Sequence, residues 1–175
     1  MGLIYGGDTM KKIISIFISL VLVICGFTGC IDDKSSVSPP PDEMARLQSV
    51  SVMECFENED IEGLKSMFCK RVIDNIDLNS QIESAFEFIN GKIISYDEPD
   101  GTSGGGLIKD GERVELILSG KITNIKTDKG DIYRITFTSY GIHESDPDRI
   151  GISQLSVFSQ NDSRYIIGDY DTANP

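Results

Sequence analysis

Arg113-Val114-Glu115-Leu116-Ile117-Leu118-Ser119-Gly120-Lys121-Ile122-Thr123-Asn124-Ile125-Lys126-Thr127 decides the fold. Val114, Leu116 and Leu118 recur at every second position, the period of a strand with one buried face. Gly120, in the middle, predicts a bulge or bend. Asp128-Lys129-Gly130 turns the chain back into Asp131-Ile132-Tyr133-Arg134-Ile135-Thr136-Phe137-Thr138-Ser139-Tyr140, rich in the β-branched and aromatic residues that suit a pleated surface. Downstream, residues 150–158 read as a further strand, Asn161-Asp162-Ser163 as a turn and residues 164–168 as the last strand. Upstream, residues 92–96 form a short first strand, and residues 99–106, with four glycines, a flexible loop.

Before Gly91 the apolar period is near 3.6. Asp42 is placed to cap a helix running to about residue 56, with Met44, Leu47 and Val50 at helical spacing. Asp60 caps a second helix whose stripe is Ile61, Leu64, Met67 and Phe68. A third begins near residues 77–79, turns Leu78, Ile82, Ala85, Phe86 and Ile89 inward, and stops at Asn90-Gly91. Three helices followed by an antiparallel meander make an α+β domain over residues 42–175.

The N-terminal region reads differently. Residues 1–9 do not look like a targeting segment, and Met10-Lys11-Lys12 is the better start. It opens a positive stretch followed by an apolar run of about 15 residues, the layout of a secretory signal. The run is shorter than the roughly 20 residues of a membrane span. It ends in Phe27-Thr28-Gly29-Cys30, which resembles the lipobox of bacterial lipoproteins except that Phe27 replaces the usual Leu. A thiolate is the strongest side-chain nucleophile for alkylation by a diacylglyceryl donor, and a small residue before it suits a peptidase pocket. The resemblance implies cleavage before Cys30 and acylation of its thiol, with palmitate-type chains holding the protein to the membrane, facing outside the cytoplasm; two chains suffice for stable anchoring. Residues 30–41, ending in Pro39-Pro40-Pro41, read as the lipidated cysteine and a spacer.

Removing residues 1–29 takes Lys11 and Lys12 from the 16 basic residues and Asp8 from the 28 acidic ones, leaving 146 residues with a net charge of -13. An acidic domain is a poor partner for nucleic acid or anionic lipid, so the lipid does the anchoring alone. A chain of that length buries roughly 68–70 per cent of its unfolded surface, enough to fold without a disulfide framework or metal. Cys55 and Cys69 fall on successive helices with an axial offset near ~9 Å, beyond disulfide reach, so both are expected as buried free thiols.

The helix junction Phe56-Glu57-Asn58-Glu59-Asp60-Ile61-Glu62-Gly63-Leu64-Lys65-Ser66-Met67-Phe68 and the long strands around Gly120 resemble the nuclear-transport-factor-2-like, cystatin-like cone fold. They are also similar to an uncharacterised family of Gram-positive lipoproteins carrying it. The resemblance covers residues 42–170. It implies three helices on a strongly bent antiparallel sheet, with a hollow at the mouth, and sheets that often pair into homodimers. Members of this superfamily serve as isomerases, dehydratases, association modules or ligand pockets, so the fold leaves function open.

Chemistry-bearing motifs are sparse. The one histidine, His143, lies in Gly141-Ile142-His143-Glu144-Ser145-Asp146-Pro147-Asp148, which reads as a solvated loop, and no catalytic residue is assigned. Glu144, Asp146 and Asp148 lack the glycine and distal Glu of a calcium hand; they and Asp97-Glu98-Pro99-Asp100 read as exposed acidic turns, and no metal or cofactor is expected. Gly101-Thr102-Ser103-Gly104-Gly105-Gly106 lacks the Lys-Ser/Thr of a phosphate loop. Tyr96, Tyr133, Phe137, Tyr140 and Tyr165 are assigned to the core or to the wall of an apolar pocket. The expected role is a non-enzymatic, lipid-anchored domain binding a small ligand or protein partner. The alternatives are a pocket enzyme of isomerase or dehydratase type, using tyrosines and carboxylates, and a structural, dimerising module.

Overall fold

Helix formation in the first half starts from local capping chemistry. The computed structural model describes residues 39–173; the readings placed on Met10, the signal segment, Cys30 and the spacer up to Ser38 lie outside them. Helix α1 (Pro41–Asn58) opens with a proline at its first position, where the missing N–H leaves no bond unmade. Asp42, expected as the cap, instead accepts the Ser103 N–H at 2.7 Å and ties the helix start to the sheet. Helix α2 (Ile61–Ser66) is capped by Asp60, which accepts from the Gly63 amide at 2.9 Å. Helix α3 (Lys70–Asn75) follows, and helix α4 (Leu78–Phe88) begins at Asp77, which accepts from Ser80. Among the described residues four helices thus precede the sheet rather than three. The extra one is a six-residue turn of helix whose only buried residue is Val72, too short to carry a periodic signal. A final short helix, α5 (Tyr170–Ala173), closes the described region.

The sheet has six strands, all antiparallel: β1 (Ile93–Ser95), β2 (Asp100–Lys109), β3 (Glu112–Thr127), β4 (Ile132–His143), β5 (Gly151–Ser159) and β6 (Arg164–Gly168). The path runs β1-β3-β4-β5-β6, and β2 also pairs with β3. Strands β1 and β2 share one edge of β3, β1 beside Lys126 and Thr127 and β2 along residues 112–121. A short 3-10 turn (Pro147–Arg149) links β4 to β5. Bulges interrupt the pairing of β3 with β4 at Leu116/Ile117 and at Ile122/Ile125.

Two expectations are corrected. The glycine-rich segment is strand β2, not a loop, because glycine there answers a close approach of helix and sheet. A Cβ on Gly101 would stand 2.3 Å from the Arg46 nitrogen and 2.4 Å from the Ala45 carbonyl carbon, in the backbone of α1. Gly120 likewise marks no bulge: it pairs regularly with Phe137, and a Cβ on it would meet the Phe137 ring at 2.1 Å and Ser49 Oγ at 2.4 Å. Across this seam Ser49 Oγ donates to the Asp100 carbonyl at 2.8 Å.

Helices α1, α2 and α4 lay Val52, Met53, Phe56, Leu64, Leu78 and Ile82 on one face of the sheet, against Ile122, Ile135, Phe137, Leu155 and Ile167. Each such burial stabilises the fold by about 1.5–3 kcal/mol before conformational entropy is charged. These side chains fill the space between helices and sheet. Tyr133 and Phe137 are part of that core, with Tyr96 and Tyr165 packed at its margin. Cys55 and Cys69 are buried and unbonded, as expected.

Candidate functional site

The pleat that sends Phe137 and Leu155 to the helices sends their neighbours to the opposite face. Strand register arranges those neighbours in rows. Thr102, Ser119, Thr138 and Gln154 are successive cross-strand partners; so are Asp100, Lys121, Thr136, Ser156 and Ile166; so are Arg134, Phe158 and Arg164. The first two rows, Ile166 excepted, line an open groove of about 460 Å³, with Arg164 at its margin. Its walls carry hydroxyls, one amide and charged tips, together with apolar surface that includes Phe137 beside Gly120.

Arg164 is held firmly. Its Nη2 donates to Ser156 Oγ at 2.9 Å and to Gln154 Oε1 at 3.2 Å, and its Nε to Ser156 Oγ at 3.2 Å. Its guanidinium stands 5.4 Å from the centre of the Phe158 ring, and that of Arg134 stands 4.4 Å from the same centre, both within cation–π range. The two guanidinium carbons are therefore within about 10 Å of each other. In water, two unit charges about 10 Å apart repel by about 0.4 kcal/mol, and more at closer approach. Among the described residues no carboxylate lies within ion-pair distance of Arg134, Arg164 or Lys121.

A second constellation lies near the end of the sheet where β4 leads into the 3-10 turn. His143 is buried, 6% exposed, rather than on a solvated loop. Strand β4 continues three residues past Tyr140 and pairs His143 with Glu115, so the polar run that suggested a loop begins only after it. His143 Nε2 lies 3.9 Å from Glu115 Oε2 and 3.2 Å from Arg149 Nη1. An arginine N–H facing Nε2 makes that nitrogen the acceptor and places the imidazole proton on Nδ1. The ring packs edge-on against Tyr140, with centres 5.0 Å apart. Burial pushes the Tyr140 hydroxyl pKa above its ordinary value, with Tyr170 and the Glu115 charge adding to the rise.

Asp146 belongs to this cluster as well. Its Oδ2 accepts from Arg71 Nη2 at 2.5 Å and lies 3.4 Å from Arg149 Nε, an ion pair without the geometry of a hydrogen bond. The cluster pins α3 and the 3-10 turn to the sheet. Glu144, Asp146 and Asp148 do not converge on a cation site, and no metal-binding group of His, Cys, Asp and Glu occurs among the described residues. Asp97 is likewise committed, accepting from Thr123 Oγ1 and Asn124 Nδ2.

Another opening, about 280 Å³, lies between α1, α4 and β1, lined by Phe56, Glu57, Glu59, Phe86 and Lys92 among others. It carries two carboxylates and no fixed donor, so the sheet groove is the better formed site. Arg134, Phe158 and Arg164 escaped the sequence reading, although the alternation Arg134, Thr136, Thr138 against Ile135, Phe137 carries the signal that these positions share an outer face.

One face of an antiparallel sheet packed by helices and the other carrying an open groove define an α+β domain. The chain belongs to the family described as Domain of unknown function (DUF5104), whose profile matches residues 51–160, more than half of its length. That span includes Arg134 and Phe158 and stops short of Arg164. No curated protein matches the chain. No helix of the described residues is long and apolar enough to cross a membrane.

Proposed function

We propose that the protein is a lipoprotein, cut before Cys30, held to the membrane by lipid on that thiol and facing outside the cytoplasm, and that its folded domain binds a ligand on the outer face of the sheet. The observation that carries the binding role is the groove of about 460 Å³ whose Arg164 is fixed by three hydrogen bonds. Preorganised polar groups in a concave surface are what orient a ligand at low entropic cost. The main core between helices and sheet is densely apolar, and the groove lies on the opposite face of the sheet. The bulges in β3 and the packing of α1 across β2 and β3 support the cone-like, nuclear-transport-factor-2-like reading of the architecture.

Both halves of the proposal are testable. Metabolic labelling with a fatty acid should mark the wild type and not Cys30→Ala; equal labelling refutes the anchor. For the binding role, amide chemical shifts of the full chain in detergent are followed as glucose and glucose 6-phosphate are added separately. Shifts at Thr136, Thr138, Gln154 and Ser156 with at least one of them support the groove. No shift there with either sinks the groove reading. Shifts concentrated instead at Glu115, Tyr140 and His143 favour the isomerase or dehydratase reading, for which the buried tyrosine beside a carboxylate and an imidazole is the supporting observation. Shifts that appear on raising protein concentration without ligand favour the dimerising module.

A further inference from the structure

We infer that the groove ligand is the phosphate ester of a polyol or sugar, its phosphate on Arg134 and Arg164 and its hydroxyls on the Ser/Thr/Gln rows; this rests on the groove being the binding surface. What sets Arg134 and Arg164 apart is that, in a chain with 28 acidic and 16 basic residues, two guanidiniums share one ring, Phe158, at 4.4 and 5.4 Å from its centre. Among the described residues neither is drawn into an ion pair, unlike Arg46, Lys70, Arg71 and Arg149. A guanidinium presents planar donors that match phosphate oxygens, often two at a time. Two guanidiniums around one ring bring several N–H donors within reach of a single oxyanion, Arg164 with its Nη1 while Nε and Nη2 hold Ser156 and Gln154.

The rest of the groove specifies what the anion is attached to. From the Arg134 row to the Thr138 row is about 13 Å along β4 at ~3.3 Å per residue, long enough for a phosphate and a sugar ring. Thr136, Thr138, Ser119 and Thr102 supply hydroxyls that both donate and accept, and Gln154 its amide N–H groups, its oxygen being held by Arg164, the complement of a polyol. Ser156 is already engaged by Arg164. Besides Phe158 and the edge of Phe137, the apolar groups on this face include the exposed Ile132 and Ile166, which lie outside the groove. Lys121 adds a third positive charge on the same face, and Asp100, its cross-strand partner, adds a carboxylate at the far margin that accepts from ligand hydroxyls and repels a phosphate placed there, setting the orientation.

Isothermal titration of the full chain in detergent with glucose 6-phosphate, glucose and inorganic phosphate tests this. Glucose 6-phosphate should bind, and more tightly than either comparison. Arg134→Gln, which breaks no hydrogen bond of the fold, should weaken it roughly tenfold or more, the effect of losing a charge-assisted bond, and the Arg134→Gln/Arg164→Gln pair should abolish it. Binding should fall as salt rises. Thr138→Ala should weaken glucose 6-phosphate and leave inorganic phosphate unchanged. Circular dichroism melts of the variants confirm that they fold. Glucose bound as well as its phosphate, with Arg134→Gln without effect, overturns the anion assignment while leaving the groove standing. Inorganic phosphate bound as tightly as the ester overturns the polyol half. Failure of all three to bind refutes the proposal together with the groove reading.

Discussion

Gly101→Ala tests the seam that turns a glycine-rich segment into a strand. The added Cβ lands 2.3 Å from the Arg46 nitrogen and 2.4 Å from the Ala45 carbonyl carbon. Both atoms belong to the backbone of α1, so no rotamer change relieves the clash. Ordinary contact begins near 3.4 Å, and α1 must therefore withdraw from β2 by about 1 Å. Overpacking of this kind costs about 1–3 kcal/mol. Loosening the Ser49 bond to Asp100 and the Ser103 bond to Asp42 adds part of about 1 kcal/mol each. Against this, alanine restricts the unfolded chain and returns about 0.4–1 kcal/mol. The net expectation is destabilisation by about 2 kcal/mol, read as a fall in melting temperature of roughly 6–10 °C and a lower urea midpoint at unchanged slope. Gly104→Ala is the matched control. Its Cβ meets the Ile117 γ2 methyl at 3.3 Å, Ser119 Oγ at 3.5 Å and the Ile117 carbonyl oxygen at 3.8 Å, with no atom under 3.0 Å, so any loss of stability should be well below that of Gly101→Ala, within about 1 kcal/mol of wild type. A Gly101→Ala protein as stable as wild type, or two variants equally destabilised, refutes the close-approach argument.

Asp146→Ala removes the shared carboxylate of Arg71 and Arg149 and should cost about 1–3 kcal/mol in urea unfolding, with Asp146→Asn intermediate; an unchanged midpoint would show that the cluster does not pin α3. Burial pushes the Cys55 and Cys69 thiols above their ordinary pKa and Cys69 is fully buried, so iodoacetamide at pH 8 should leave both nearly unlabelled until denaturant is added, and prompt native labelling would contradict their placement. The Ser80 hydroxyl and amide lower the Asp77 pKa, and the Thr172 hydroxyl that of Asp169, from an ordinary 3.8. A carboxylate with a lowered folded pKa stabilises above its unfolded value and loses that contribution as pH falls through the folded one. Stability should thus decline below about pH 4, less steeply in Asp77→Asn and Asp169→Asn, and identical slopes in all three proteins would rule these caps out as its source.

The α+β class, the antiparallel order and most element positions were legible because capping and periodicity are local. Asp60 caps the helix it was expected to cap, and the third expected helix begins at Asp77, whose carboxylate accepts from Ser80, since a carboxylate three residues before a free amide needs no distant partner. Helix α3 was missed for want of length, and β2 because its glycines are a local turn signal with a tertiary cause: only the position of α1 explains why position 101 excludes a Cβ. His143 was misplaced by the composition of the segment that follows it, while its pairing with Glu115, twenty-eight residues earlier, decides its burial.

The candidate site divides in the same way. Alternation alone assigns Arg134, Thr136 and Thr138 to one face and Ile135 and Phe137 to the other, because successive side chains on an extended chain must point oppositely. Which residues stand beside them is a matter of register between strands that are far apart in sequence, and a slip of one residue would exchange the two faces. The juxtaposition of Arg134 and Arg164 on Phe158 therefore belongs to the tertiary structure: thirty positions separate the two arginines, and only the pairing of β4 with β5 and of β5 with β6 brings their charges to a single ring.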